Sequence, residues 1–256
     1  MKTWEALDLS RKIAEYVGRE VNRVAGSRDA GITVGIGKDG TPTKKIDRIA
    51  EDVALEILRE YDLKIVTEES GVVGDGRTIV ALDPLDGTFN ASRGIPFYSI
   101  ALCFSDTETL DGTFFAYVKN LASGMEYYSD GEKSYRDGNQ IEVNENDSIR
   151  CNAIIYYPVE IYPFRRIRVF GSSALEICMV ADGTFDCFID IRKGENGAGF
   201  LRVFDISASL FIAKNAGAEI SSLDGDDVWR KKFTMDERFR IAVSGKKIHK
   251  KILDLL

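Results

Sequence analysis

The stretch LDPLDGTFN, at residues 82–90, places two aspartates, a proline, a glycine and an asparagine within one short segment. These residue types favour a tight turn, because proline presets φ and glycine tolerates positive φ. The residues directly before it, TIVAL at 78–82, form an apolar run rich in β-branched side chains, which is typical of a buried strand. Asp83 and Asp86 are therefore predicted at the carboxyl end of a strand, where open α/β sheets bind their ligands.

The composition of the 256-residue chain is that of an ordinary globular protein, with 44% hydrophobic and 29% charged residues. Its 34 Lys and Arg against 41 Asp and Glu give a net charge of −7, which argues against general binding to nucleic-acid backbones or anionic membranes. The amino-terminal segment alternates charged and apolar residues, so neither a signal peptide nor a membrane span is predicted. The expected location is the cytoplasm.

Cysteine and histidine offer little to catalysis in this chain. The four cysteines are scattered, form no C-x-x-C pair and are expected to be reduced core residues, although a bridge between Cys151 and Cys187 stays open. The single histidine, His249, argues against Ser-His-Asp, Cys-His and histidine-rich metal chemistry. Catalysis is therefore expected from carboxylates, hydroxyls, cationic side chains or metals.

Hydrophobic periodicity predicts an α/β protein whose two halves differ in organisation. The first half, residues 1–148, is predicted as α+β, with an amphipathic helix at 3–24, a second from Thr43 onward, and hairpins between residues 98 and 143. The second half, residues 149–256, alternates strands with helices, which is the pattern of an α/β unit. The other predicted elements are a glycine-rich loop at 26–40, a glycine-rich turn at 71–76, strands at 64–69, 78–82, 153–157, 167–170, 184–191, 217–221 and 239–243, and helices at 172–182, 205–216 and 246–256.

Acidic residues recur where the predicted strands end and the predicted helices begin. Glu68 closes the strand KIVTEE, Asp47 opens the second helix, and Asp205 opens the helix ISASLFIAKNAG. Each has a plain structural explanation, because the helix dipole favours acidic residues in a first turn and strand ends are commonly solvated. Together with Asp83 and Asp86, however, they are hard oxygen ligands suited to Mg²⁺ or Mn²⁺. The sequence thus predicts a metal-dependent phosphate ester hydrolase, as a class.

Five segments of the chain together resemble the lithium-sensitive phosphatase superfamily of inositol monophosphatase and fructose-1,6-bisphosphatase. They follow the family's order over nearly the whole chain: GTPTKKID at 40–47, VTEES at 66–70, ALDPLDGTFN at 81–90, GSSALEICMVADGTFD at 171–186 and FDISASLFIAKNAGA at 204–218. The likeness is greatest to archaeal members that have both activities. It implies the layered αβαβα sandwich of that superfamily and a homodimer.

The resemblance also implies a ligand set for two or three Mg²⁺ ions. Glu68, Asp83 and the main-chain carbonyl of Leu85 would hold the first ion, which activates the attacking water. Asp83, Asp86 and Asp205 would hold the second, near the leaving-group oxygen. A third, weaker site would use Glu68 through water, so this glutamate is expected to take part in catalysis as well as in metal binding.

The nucleophile and the phosphate have predicted partners in the same family motifs. Thr88, hydrogen-bonded to Asp47, would orient or deprotonate the water, because a carboxylate-linked hydroxyl can relay a proton. Main-chain groups of Gly87 and Thr88 would grip the phosphate, since glycine lets an anion approach the backbone closely. Asp86 would lie against the substrate. In-line attack would release inorganic phosphate with no covalent enzyme intermediate.

Recognition of the rest of the substrate is predicted from the second half of the chain. The resemblance favours Arg168, Ser173 and Arg192 as contacts to a sugar or a second phosphate, and guanidinium groups are well suited to bind phosphate through two hydrogen bonds. Asp190 is expected to accept a hydrogen bond from a sugar hydroxyl. The loop KGENGAGF, at 193–200, is longer than in many relatives and borders this expected site.

The leading hypothesis is a Mg²⁺-dependent phosphatase of fructose 1,6-bisphosphate and inositol 1-phosphate that uses a metal-activated water. One alternative is a 3′(2′),5′-bisphosphate nucleotidase, for which the sequence shows no clear adenine pocket. Another is a non-catalytic regulator that binds metal or phosphate on the same fold. The regulator is disfavoured because every predicted metal-binding and water-activating side chain is present in the sequence.

Overall fold

A computed structural model describes residues 1–194 and 197–256 of the chain. Its helices are α1 (Thr3–Val24), α2 (Lys45–Leu58), α3 (Thr88–Arg93), α4 (Ser173–Ala181), α5 (Val203–Asn215) and α6 (Lys246–Leu253), with a 3₁₀ turn at Leu110–Gly112. Its strands are β1 (Thr33–Ile36), β2 (Pro42–Lys44), β3 (Leu63–Thr67), β4 (Gly71–Val73), β5 (Thr78–Asp86), β6 (Ser99–Ser105), β7 (Thr113–Asn120), β8 (Glu126–Ser129), β9 (Ser134–Arg136), β10 (Asn139–Gln140), β11 (Asn152–Tyr156), β12 (Arg166–Arg168), β13 (Cys187–Asp190), β14 (Leu201–Arg202), β15 (Ala218–Ser222), β16 (Arg238–Phe239) and β17 (Ile241–Gly245).

Two large sheets and three groups of helices form five layers. Within the described residues, one sheet has the order β10-β9-β8-β7-β6-β5-β3-β4 and the other the order β12-β11-β13-β17-β15. Helices α1 and α2 cover the outer face of the first sheet, α4 and α5 lie between the sheets, and α6 covers the outer face of the second. The predicted α/β fold class and αβαβα sandwich are therefore confirmed.

Strand β5 is an interior strand of the first sheet and is buried on both faces. It pairs in parallel with β3 and antiparallel with β6. Because side chains alternate along a strand, Ile79 and Ala81 point into the core between the sheets, whereas Val80 and Leu82 point toward α1 and α2. Burial on both faces explains why this strand is a continuous apolar run in the sequence.

Helix α5 joins the two halves of the molecule. It packs on β5, β6 and β7 of the first sheet and on β15 of the second. A helix between two sheets has no solvated face, and nearly every residue of α5 is buried.

The predicted boundary near residue 148 falls between β10 and β11, and the division into two domains stays a prediction. None of the helices in the described chain is both long enough and apolar enough to cross a bilayer.

Several short elements differ from the sequence prediction. The expected loop at 26–40 contains β1, which pairs with β2, so the second helix begins at Lys45 and not at Thr43. The expected turn at 71–76 contains β4, which pairs with β3. The strand expected at 239–243 is two strands, β16 and β17. Strands of two to four residues are too short to show a hydrophobic period, which explains these errors.

The predicted turn at 82–90 is the irregular end of a strand, followed by a short helix. Strand β5 continues to Asp86, and its register against β6 is interrupted between Asp83 and Asp86. Pro84 lies in this interruption, where its missing N–H removes no regular ladder bond. The two aspartates therefore lie at the carboxyl end of β5, as predicted, but residues 82–86 belong to the strand and the prediction of a turn there is wrong.

Gly87 makes the change from strand to helix. Its φ is +91°, in the left-handed region that favours glycine. A Cβ atom at this position would lie 3.1 Å from the carbonyl oxygens of both Phe97 and Gly171. Conformation and space therefore both require glycine directly after Asp86, and α3 begins at the next residue, Thr88.

Candidate active site

The predicted carboxylates meet at one end of β5 and form what we call the acidic centre, consisting of Glu68, Asp83, Asp86 and Asp205. Glu68 directly follows β3, the parallel neighbour of β5, so both strands deliver acids to the same edge. Asp205 comes from the first turn of α5, which packs on this sheet. The charges act on one another: burial and then Asp205 raise the pKa of Glu68 well above its usual value.

Burial is the main cause of the raised pKa values in the acidic centre. It raises the pKa of Asp205 to about 7, and that of Asp86 to about 6. Asp83 is 3% exposed, and burial followed by the charges of Asp86 and Glu68 raises its pKa well above the usual range. A set of buried, mutually repelling carboxylates is stabilised by cations, so this geometry suits a metal site.

The oxygens that remain open fit hard divalent cations. Asp83 uses Oδ1 to accept from the amide of Leu85 at 3.0 Å, and Asp205 uses Oδ2 to accept from the amide of Arg202 at 2.7 Å. Within the described residues, the second oxygen of each accepts no hydrogen bond from protein. In the same residues, no group of three or more acidic, cysteine or histidine side chains is already placed so that it could hold a metal ion. The fit to Mg²⁺ therefore depends on the donor chemistry, which is all oxygen.

Asp47 and Asp205 hold equivalent positions in two helices. Each is the third residue of its helix and accepts a hydrogen bond from the amide before the first turn, Lys44 N to Asp47 Oδ2 at 2.8 Å and Arg202 N to Asp205 Oδ2 at 2.7 Å. The structural and functional explanations of these residues are thus compatible, because one oxygen caps the helix while the other faces the site.

Thr88 joins Asp47 as the resemblance implies. Its hydroxyl donates to Asp47 Oδ1 at 2.7 Å and lies 3.3 Å from the carbonyl oxygen of Leu85. Burial raises the pKa of Asp47 to about 6, against the opposing effect of the Thr88 hydrogen bond. Since its proton is directed at Asp47, the Thr88 oxygen is left as an acceptor for a water.

Asp86 is positioned by the segment that opens α4. Its Oδ2 accepts from the Ser172 hydroxyl at 2.6 Å and from the Ala174 amide at 2.8 Å. The Ser172 hydrogen bond opposes the effect of burial on the pKa of Asp86, and Ser173, predicted as a substrate contact, is buried between these two donors. Sequence reasoning missed Ser172, although the serine pair before a predicted helix was a usable signal for a side chain at this junction.

Glu176 is a further buried acid that sequence reasoning missed. It is fully buried, and burial raises its pKa to about 7. Its carboxylate accepts from the Tyr156 hydroxyl and from the amides of Phe170 and Gly171. It therefore holds the backbone just before Ser172, the residue that contacts Asp86.

Asp39 was also missed, and it adds a fifth acid near the acidic centre. Its side chain is 1% exposed and forms an ion pair with Arg202 at 3.1 Å. Its charge raises the pKa values of Glu68 and Asp205. Asp39 lies in the turn between β1 and β2, which was predicted as part of a loop, so nothing in the sequence linked it to the site.

Arg192 and Asp190 form a buried pair at the end of β13. Arg192 Nε and Nη2 donate to the two carboxylate oxygens of Asp190 at 2.6–3.1 Å. The guanidinium lies over the ring of Tyr156, 4.3 Å from its centroid, and 5.4 Å from that of Phe200. Asp190 is fully buried and both of its oxygens accept from Arg192, so it orients Arg192, and its expected role as acceptor for a sugar hydroxyl stays a prediction.

Three further predictions concern Arg168, the loop at 193–200 and the cysteine pair. Arg168 is exposed on the edge strand β12 and donates to the carbonyl of Ile167, and in the described chain no ion pair joins it to the acidic centre. The loop at 193–200 includes residues 195 and 196, which lie outside the described residues. Cys151 and Cys187 are buried free thiols with their sulfurs 3.9 Å apart.

Two cavities open beside these groups. The first, of about 820 Å³, is lined by Arg192 together with aromatic, charged and aliphatic side chains, among them Tyr157, Tyr162, Phe200, Lys193 and Arg240. The second, of about 870 Å³, is lined by Asp47, Glu68 and Thr88 and by residues of the segment 26–32, of β2 and of α3. Both volumes suit a small-molecule ligand.

The chain is similar to known proteins over nearly its whole length. The model of the Inositol monophosphatase family matches residues 4–256. The chain is 52% identical to the fructose-1,6-bisphosphatase/inositol-1-monophosphatase of Archaeoglobus fulgidus over 98% of each chain. It is 31% identical to a bifunctional NADP phosphatase/NAD kinase of Methanocaldococcus jannaschii, over 100% of this chain and 51% of that protein.

A solved structure described as an inositol monophosphatase-fructose 1,6 bisphosphatase superposes on this fold with a TM-score of 0.87. The two chains are 30% identical, and the match covers 97% of this chain and 98% of the other. The family match, the relatives and the shared fold extend over the same residues that carry the acidic centre, Thr88 and Asp47. The chain belongs to the inositol monophosphatase family.

Proposed function

We propose that this protein is a Mg²⁺-dependent phosphoric monoester hydrolase that acts on fructose 1,6-bisphosphate and inositol 1-phosphate. The acidic centre set against the hydrogen-bonded Thr88 and Asp47, in a member of this family, carries the proposal. Glu68, Asp83, the Leu85 carbonyl, Asp86 and Asp205 would hold two or three ions, with Mn²⁺ as a substitute. Bound Mg²⁺ would lower the pKa of a water and neutralise charge on the phosphoryl group.

Thr88 and Asp47 supply the proton path. The Thr88 oxygen accepts a hydrogen bond from the attacking water while its own proton points at Asp47 Oδ1. Asp47, with a pKa of about 6, is ionised near neutral pH and can accept a proton through Thr88. This relay orients the water without a histidine.

The substrate would lie between the strand end at Gly87 and the cavity at Arg192. The left-handed backbone of Gly87 leaves the main chain open to a phosphate oxygen. We propose Arg192 as the contact to a sugar or second phosphate, with Asp190 and Tyr156 fixing the plane of its guanidinium. Arg168 and Ser173 stay predictions.

Phosphate release tests the proposed function. Purified protein with Mg²⁺ should release phosphate from fructose 1,6-bisphosphate and inositol 1-phosphate, and excess EDTA should stop the release.

Arg192→Lys should raise KM for both substrates with a smaller effect on kcat, because it keeps the charge but loses the bidentate geometry. Arg23→Lys, at an exposed ion pair on α1, is a matched control. If neither substrate nor adenosine 3′,5′-bisphosphate releases phosphate, the enzyme hypothesis is wrong.

A nucleotide phosphatase is a second candidate, favoured by aromatic side chains. Tyr157, Tyr162 and Phe200 line the cavity at Arg192, and Tyr157 and Phe200 are 72% and 52% exposed. Such rings can stack on a base, and one relative is an NADP phosphatase/NAD kinase. Phe200→Ala should then raise KM for NADP or adenosine 3′,5′-bisphosphate more than KM for fructose 1,6-bisphosphate.

We also propose that the protein is a cytoplasmic homodimer. Val159 and Ile161 are 85% and 101% exposed, next to the exposed Tyr157, and a cluster of exposed apolar side chains is typical of a protein interface. Free thiols at all four cysteines suit a reducing compartment. Light scattering should give twice the chain mass, and Ile161→Asp should give the monomer mass; a wild-type monomer would refute the dimer.

A further inference from the structure

The cavity on the side of Thr88 and Asp47 has an unusual charge pattern. We call it the Arg28–Arg93 cavity; it shares no lining residue with the cavity at Arg192. Its wall includes three cationic side chains, Arg28, Lys44 and Arg93. They share this wall with the carboxylates of Asp47 and Glu68, in a chain of net charge −7, so their position is not a consequence of overall composition.

These cations form no close ion pair in the described part of the chain, although the charge of Lys44 opposes the raised pKa of Asp47. None of the three forms an ion pair, whereas the nearby Arg23 pairs with Glu20. Lys44 Nζ donates to the Thr33 hydroxyl at 2.8 Å. Arg93 lies over the ring of Phe89, 5.7 Å from its centroid. Their charge is therefore left for a ligand.

Two glycines bring the arginine-bearing segments together. Gly26 and Gly94 have φ values of +73° and +72°, and a Cβ on Gly26 would lie 3.2 Å from Gly94 Cα. The Gly26 amide also donates to the Ala91 carbonyl at 2.9 Å. This close backbone contact places Arg28, two residues after Gly26, next to Arg93 at the end of α3.

We propose that the Arg28–Arg93 cavity is a second anion site, which takes the inorganic phosphate that the reaction releases. The inference rests on the proposed function. Water forms a new P–O bond, the ester P–O bond breaks, and the two water protons end on the leaving alcohol and on the phosphate. Because attack is in line, phosphorus moves toward the side of the attacking water, and Thr88 and Asp47 line this cavity on that side. A small tetrahedral oxyanion matches several converging donors.

Calorimetric titration of inorganic phosphate into the whole protein in excess EDTA tests the site. Without metal, no cation in the acidic centre can hold the phosphate, and Asp47 and Glu68 in the cavity wall oppose its binding. A heat of binding that is reduced by substitution of Arg28 or Arg93 therefore reports on this cavity. Binding of one phosphate is expected, and Arg28→Gln and Arg93→Gln should each weaken it roughly tenfold or more. Arg28→Lys and Arg93→Lys should retain most of it. Arg23→Gln, which removes a neighbouring paired arginine, should change nothing.

The outcomes separate this site from the proposed activity. No binding of phosphate in EDTA, or equal binding by wild type and both glutamine variants, would overturn the second anion site even if the enzyme turns over. Equal or tighter binding of fructose 6-phosphate would assign the cavity to a substrate phosphate and also overturn the proposal. Phosphate inhibition measured with Mg²⁺ should weaken in both glutamine variants. Absence of turnover by wild type would contradict the proposed function. Titration of phosphate in EDTA would still test the second anion site, because it does not depend on activity.

Discussion

Asp83 of the acidic centre and His249 are similarly buried but differ in how their polar atoms are paired. His249 is 5% exposed, and its two ring nitrogens lie 2.9 Å from the hydroxyls of Ser221 and Ser244. Asp83 is 3% exposed, and its protein hydrogen bond is to the Leu85 amide. Buried polar groups are usually satisfied, so the difference marks His249 as structural and the acidic centre as a place that binds something.

Asp86→Asn should give the largest effect, because it removes one negative charge from the acidic centre at nearly constant volume. Activity should fall on the order of 10³-fold, the scale of losing one preorganised electrostatic group. Its Oδ1 can still accept from Ser172 and Ala174, so the metal-free variant should be at least as stable as wild type. Phosphate release and denaturant unfolding in EDTA measure the two effects. Near-normal activity would show that Asp86 holds no metal.

Thr88→Val removes the hydroxyl next to Asp47 and keeps the side-chain shape. We expect kcat to fall about 10²-fold with little change in the Mg²⁺ requirement, because general-base assistance is lost and the ligands remain. Thr88→Ser restores the hydroxyl and should recover most of the rate. A kcat that is unchanged in the valine variant would remove Thr88 from the proton path.

Glu176→Gln tests whether a buried acid whose oxygens all accept hydrogen bonds from protein still affects catalysis at the acidic centre. The amide oxygen can accept either from the Phe170 and Gly171 amides or from Tyr156, so one side of the network faces the NH2 group and the segment before Ser172 is held less firmly. We expect kcat/KM to fall about tenfold and half-saturation to require more Mg²⁺, as when a partner behind a metal ligand is lost. Tyr156→Phe should have a smaller effect. If only the stability falls, Glu176 supports the fold and not Asp86.

His249 should give the smallest effect, and it should appear only in stability. Burial lowers its pKa in the folded protein, so the unfolded chain binds the proton first as pH falls. Stability from the neutral ring is thus fully present above the unfolded pKa and declines as pH drops below about 6.5. Denaturant unfolding at pH 7, 6 and 5 should show wild type losing free energy of unfolding relative to His249→Gln. A constant difference between the two proteins would contradict the assignment.

The acidic centre was predictable because each carboxylate is attached to a local signal. The apolar run before Asp83 and the helical period after Asp205 both place their acid at the end of an element. Asp39 and Glu176 have no such signal, since their roles depend on contacts made by the fold. The Asp39 carbonyl accepts from Arg202, 163 residues away, and no spacing in the sequence records that contact.

The pairing of Asp190 with Arg192 shows a second limit of prediction from sequence, which concerns two residues that were both predicted. Both residues were predicted as substrate contacts, but only Arg192 lines the expected cavity, whereas Asp190 is fully buried. Sequence cannot show that the two side chains satisfy each other, because bidentate geometry depends on how Tyr156 and Phe200 confine the guanidinium. The residue types were therefore predicted, but the division of roles between them was not.

The double use of Asp47 and Asp205 limits how this chain could lose its activity in evolution. One oxygen of each caps a helix, so substitution by alanine would remove a catalytic group and weaken a helix start at once. Asparagine would keep the cap and lose only the charge. Inactive descendants of this protein should therefore carry asparagine at these two positions more often than small apolar residues, and a survey of diverged sequences could detect that bias.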